Sequence, residues 1–139
     1  MIALRNDAPD PAIDSRRLRS TAQKLLRILG QADATLSIAL VNDVAIRQLN
    51  RRYRDKDKAT DVLSFVAQEP LGDLAISVDT ARRQAADYGA PLQNEIYRLL
   101  IHGILHLLGH DHREKSERAA MEAAERRLAR AIAMPWPYD

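Results

Sequence analysis

Every histidine of this 139-residue chain lies in one eleven-residue stretch, His102-Gly103-Ile104-Leu105-His106-Leu107-Leu108-Gly109-His110-Asp111-His112, at the end of its most apolar helical run. Pro91 opens that run, Leu108 is its last residue and Gly109 closes it. His102 and His106 are one helical turn apart, so their rings stand on the same face. Two imidazoles so arranged converge on a single ion, as in the helical half-sites of zinc enzymes. Gly109 takes the left-handed conformation that ends a helix and reverses the chain. The reversal brings His112 back as a third ligand. Three protein ligands leave the fourth tetrahedral position open, which distinguishes a catalytic zinc site from a closed structural one. The chain has no cysteine, so thiolate metal sites and disulfide scaffolds are excluded.

Around this trio, His110 reads as a surface residue, a substrate contact or a proton carrier. Asp111 reads as a turn residue or as a carboxylate orienting a ligand imidazole. Glu95, seven residues before His102 on the same helix face, is a second candidate for that orienting role. The spacing overlaps H-E-x-x-H-x-x-G-x-x-H of the metzincin proteases, but Gly103 stands where those enzymes carry their general-base glutamate. Glycine accepts no proton, so a peptide hydrolase of that kind lacks its means of activating water. RNA carries its own nucleophile, a 2′-hydroxyl beside the scissile phosphate.

Charge points the same way. The formal net charge is only +2, yet the isoelectric point is near 9.1 and 17 of the 21 basic residues are Arg, the side chain suited to bidentate phosphate contacts. Arg47, Arg51, Arg52, Arg54, Lys56 and Lys58 crowd one segment against only Asp55 and Asp57. That segment is either a solvated helix face running into a charged loop or a polyanion-binding edge. At the C-terminus, Glu117, Glu122 and Glu125 offset Arg118, Arg126, Arg127 and Arg130, and the expectation there is a solvated helix face.

Length fits one domain, residues 1–139, and the 46% hydrophobic and 29% charged content supports one ordinary core. No apolar stretch approaches the roughly 20 residues of a membrane span. The opening Met1-Ile2-Ala3-Leu4-Arg5-Asn6 lacks a basic-then-apolar signal profile, so a soluble, cytoplasmic protein is expected. Periodicity and turn signals predict a short strand at Ile2–Leu4, then a helix capped by Asp10 with Pro11 at its first position and closed by Gly30. A strand at Thr35–Leu40 precedes a helix from about Val44 to Tyr53, capped by Asn42 or Asp43. Strands at Asp61–Val66 and Leu71–Ser77 form an antiparallel hairpin. Helices follow at Val78–Tyr88, Pro91–Leu108 and Glu114 to about Ala133. The order β-α-β-α-β-β-α-α-α predicts an α+β single domain, a small mixed four-stranded sheet packed with about five helices. The tail residues Trp136 and Tyr138 are expected to dock on their own domain, or else to tag a partner.

The histidine segment resembles the signature of the YbeY family of bacterial rRNA maturation factors. Asn50-Arg51-Arg52-Tyr53-Arg54-Asp55-Lys56-Asp57 through Thr60-Asp61-Val62-Leu63-Ser64-Phe65 resembles that family's second block, and Leu71-Gly72-Asp73-Leu74-Ala75-Ile76-Ser77 its third. Ala59 and Val66 stand where Pro is usual, and His110 where many members have Tyr. The resemblance implies a single-strand-specific, metal-dependent endoribonuclease acting in maturation of the 3′ end of 16S rRNA and in late-stage ribosome quality control. It implies one Zn2+ per chain on His102, His106 and His112, and a functional arginine at Arg54. Arg54 and His106 are then the catalytic candidates; Arg51, Arg52, Arg54, Lys56 and His110 would contact single-stranded RNA; the partners would be 16S rRNA, the small ribosomal subunit and its proteins. Two alternatives stand beside this: a metal hydrolase of another substrate, and a ribosome-assembly factor that binds RNA or protein around a structural or vestigial zinc.

Overall fold

In a computed structural model, which describes residues 1–67, 71–111 and 113–138, the elements follow the expected order: β1 (Ile2–Asn6), α1 (Ser15–Ile28), β2 (Leu36–Val41), α2 (Asp43–Arg54), β3 (Val62–Val66), β4 (Gly72–Ser77), α3 (Val78–Tyr88), α4 (Leu92–Leu107) and α5 (Lys115–Ala131). The sheet runs β1-β2-β4-β3. The first three of these strands are parallel, and β3 returns antiparallel along β4 to form one edge. Among the described residues the architecture is therefore α+β, with five helices on a four-stranded mixed sheet.

Strand alternation divides the sheet into two faces. Leu4, Ile38, Leu74 and Ser64 lie in register across one face, and there Ile38 and Leu74 join the main core with Leu18, Leu25 and Leu26 of α1 and Leu100, Ile101 and Ile104 of α4. On the other face, α2 seals only the end at Leu63, Ala75 and Val41 with Ile46 and Leu49. Helix α4 approaches the sheet closely at Gly103, where an added Cβ would lie 2.7 Å from Leu74 Cδ2. Gly103 is thus a packing residue, and a side chain there would point at β4 rather than into solvent.

Several boundaries differ from expectation for local reasons. The first helix begins at Ser15 under Asp14, whose carboxylate accepts from the Arg17 backbone N–H. Asp10 instead closes a turn, accepting from Ala12 N–H at 2.8 Å. That turn delivers Ile13 into the core ahead of the helix. Asn42 caps α2, and Asp43 accepts from Ser77, Thr80 and Arg83. The last helix is not wholly solvated: Met121, Ala124, Glu125, Leu128 and Ala129 are buried.

The tail docks on its own domain. Tyr138 meets Tyr88 edge-on with ring centroids 4.7 Å apart, accepts from Asn94 and has the Arg98 guanidinium 4.5 Å from its ring centre. Burial, reinforced by the charge of Glu95, pushes the Tyr138 phenol up to about 12. Among the described residues no helix is long and apolar enough to cross a membrane.

Candidate active site

Most of the circumference of α4 is buried, with Leu99, Leu100, Ile101, Gly103, Ile104 and Leu105 enclosed. His102 and His106 occupy the open strip. Their spacing sets the two rings 4.6 Å apart, nearly perpendicular, with the Nε2 atoms 3.1 Å from each other. Two nitrogens at about 2.0–2.1 Å on a tetrahedral zinc stand roughly 3.3 Å apart, so the pair fits two positions of one ion. Among the described residues no group of three His, Cys, Asp or Glu side chains is gathered to hold a metal. The third expected ligand, His112, lies outside the described residues.

The histidine pair opens into a cleft of about 480 Å³ whose other walls come from β3 and the end of α2, including Arg54, Asp61, Ser64 and Val66. Arg54 is the last residue of α2. Asp55, left-handed at φ 56°, turns the chain away behind it. The Arg54 guanidinium crosses the sheet edge, donates from Nη2 to the Ser64 carbonyl at 2.5 Å and lies 5.2 Å from the centre of the Phe65 ring. Ser64 in turn donates its hydroxyl to the Gly103 carbonyl at 3.3 Å. One short relay of contacts therefore ties the arginine, the edge strand and the histidine helix together.

The other expected residues stand apart from this centre. Arg51, Arg52 and Lys56 are exposed and do not line the cleft; Arg52 lies over the Tyr53 ring, and Arg47 is held by Asp57 at 2.8 Å. His110 is half-buried just past the helix end, its backbone N–H donated to the Leu105 carbonyl. Asp111 pairs with Arg113 at 2.9 Å. Glu95 is fully buried and held bidentately by Arg98, beside the tail. The carboxylate facing His102 is that of Glu125, with Oε1 3.4 Å from Nδ1. A carboxylate there favours the tautomer protonated at Nδ1, which turns the Nε2 lone pair into the cleft.

Glu125 and Asp61 are the site residues that sequence reasoning missed. Glu125 follows Met121 by one turn and precedes Leu128 by three residues, so a carboxylate on the apolar stripe of α5 was the available signal. Asp61 accepts from the Val62 N–H at 2.8 Å and from Gln84 at 3.4 Å, which holds the start of β3 in place.

The Endoribonuclease YbeY sequence profile matches residues 3–133. Endoribonuclease YbeY of Anaeromyxobacter dehalogenans is 50% identical over 137 residues, covering 94% of this chain and 71% of the relative. The Syntrophotalea carbinolica protein of the same name is 42% identical over 139 residues, covering 92% of this chain and 93% of its own length. A solution structure from Thermotoga maritima superposes with a TM-score of 0.65 at 24% identity, over 100% of this chain and 96% of that one, and so shares the fold. On the profile match and these identities, the chain belongs to the YbeY family.

Proposed function

We propose that this chain is an endoribonuclease that cuts single-stranded RNA at a zinc centre, one ion per chain, held by His102, His106 and His112. We further propose that it works in the cytoplasm on the 3′ end of 16S rRNA, with the small ribosomal subunit and its proteins as partners in maturation and late quality control. The observation that carries the reading is the convergence of His102 and His106, 3.1 Å apart, in a cleft that also holds Arg54. The name shared by the relatives supports the substrate class.

Held by these histidines, zinc would supply Lewis-acid chemistry toward water or a phosphoryl oxygen. The chain's own residues do the rest. The Arg54 guanidinium, anchored by one N–H on Ser64, keeps further donors for a phosphate and stabilises charge developing on it. Glu125 sets the orientation of His102. Gly103 offers no carboxylate and faces Leu74, so proton transfer at this centre uses groups other than a helix glutamate. Arg51, Arg52 and Lys56, outside the cleft, bind flanking phosphates.

The test compares cleavage of an unstructured RNA by the wild type, His106→Ala and Arg54→Ala, each shown to be folded. Both variants lose activity on this reading. Wild-type rates in both overturn it.

A further inference from the structure

On the sheet face opposite α4, a groove of about 590 Å³ lies against the C-terminal half of α2, and nothing in the catalytic reading uses it. Its floor is a row of short side chains in register, Ala3, Ser37 and Asp73, ending at Phe65 on the edge strand. Tyr53 forms its wall, edge-on to Phe65 with ring centroids 5.4 Å apart, and keeps 53% of its surface exposed. Both rings are paired with guanidinium groups: Arg52 lies 5.3 Å from the Tyr53 centroid and Arg54 5.2 Å from that of Phe65.

Position makes this cluster more than an exposed aromatic. Phe65 lines the groove, while its neighbours Ser64 and Val66 line the histidine cleft, because adjacent side chains of a strand point to opposite faces. Arg54 spans the edge between the two. A polyanionic strand with a phosphate on Arg54 is thus within one side chain of Tyr53. A flat floor of Ala and Ser with an aromatic wall suits a planar ring. The Asp73 carboxylate, exposed on that floor, repels phosphate from it and accepts from base amino groups.

We infer that Tyr53 and Phe65, flanked by Arg52 and Arg54, form a stacking platform for an unpaired nucleobase adjacent to the scissile phosphate. This rests on the RNA-cleaving reading and adds to it a reason for single-strand preference: a base within a duplex is already stacked and paired, and does not reach the platform. Stacking of this kind is tolerant of base identity because every base has a π-face.

The experiment measures KM and kcat on an unstructured RNA for the wild type, Tyr53→Phe and Tyr53→Leu, and repeats them on the same RNA carrying single abasic sites near the cut. Leucine keeps apolar bulk against Phe65, so the fold is retained, which the unfolding midpoint checks. The expected result is a rise in KM of about tenfold for Tyr53→Leu with little change in kcat, and near wild-type values for Tyr53→Phe. One abasic position should raise the wild-type KM similarly and add nothing further in Tyr53→Leu. Wild-type KM in Tyr53→Leu, or an abasic effect that adds fully to it, overturns the platform while leaving RNA cleavage intact. A wild-type protein that cuts no RNA overturns the parent reading and the platform together.

Discussion

Glu125 on α5 points Oε1 at Nδ1 of His102 across 3.4 Å, on the side of the ring away from the histidine partner at Nε2. Two elements thus define the orientation of one imidazole. The α4 backbone sets where the ring begins, and α5 places a carboxylate against its Nδ1 edge.

Glu125→Gln keeps the shape of that side chain and removes its charge. Zinc affinity should fall by about tenfold or more, the usual effect of removing a carboxylate behind a ligand histidine. Competition against a chelator of known affinity measures it, and unchanged affinity contradicts the orienting role.

Arg54→Lys keeps one positive charge and loses the planar fork that allows one N–H to bind Ser64 while others face the cleft. The expected cost is about a hundredfold in kcat, comparable to deleting one donor aimed at developing charge. Single-turnover cleavage of RNA is the measurement, and full activity in the lysine variant removes the need for a guanidinium.

Two glycines near the site should respond differently to alanine. At Gly72, with φ +152°, a Cβ would lie 2.5 Å from the Phe65 carbonyl oxygen, a backbone atom of the paired strand that has no rotamer to change. About 2–4 kcal/mol should be lost there, with the β3–β4 hairpin splayed. At Gly103 the obstacle is the methyl end of Leu74, and alanine's better helix propensity returns about 1 kcal/mol. A net loss of about 1 kcal/mol is expected. Denaturant unfolding of both variants gives the comparison, and equal losses contradict it.

Acid should weaken the junction of α2 and α3. Burial of the Asp43 carboxyl opposes its charge, but hydrogen bonds from Ser77, Thr80 and Arg83 outweigh it and hold its pKa below the ordinary carboxylate value. The unfolded chain, titrating near the ordinary carboxylate value, then binds more protons than the folded one through this range. The stabilisation is complete above that value and disappears as pH falls through the lower folded-state pKa. Asp43→Asn should lose about 1–2 kcal/mol at neutral pH and show a shallower acid limb in urea unfolding. A parallel limb contradicts the account.

Much of the fold is written in local signals. The span of α3 follows from Ser77 and Gly89, a serine cap and a left-handed glycine on either side of a periodic stretch. The start of α1 misleads because Asp10-Pro11 and Asp14 are both good caps; the helix starts under Asp14, with Ile13 buried just ahead of it. The proximity of His102 and His106 follows from helical spacing alone. By contrast, Arg54 reaches their cleft through a sheet edge that brings Ser64 against Gly103, and Glu125 does so through packing of α5 on α4. Those are long-range relationships that no window of sequence contains. Glu95 illustrates the reverse: its face and spacing suggest His102, yet Arg98, three residues along the same helix, takes its charge.

The central claim is that a metal on the histidine cluster drives RNA cleavage. Its most direct test is to measure zinc per chain and the cleavage rate together, before chelation, after it, and after zinc is restored. One zinc per chain, loss of cleavage with the metal and recovery on its return are the expected results. A chain that binds no zinc, or one that cuts RNA at the same rate without it, contradicts the account.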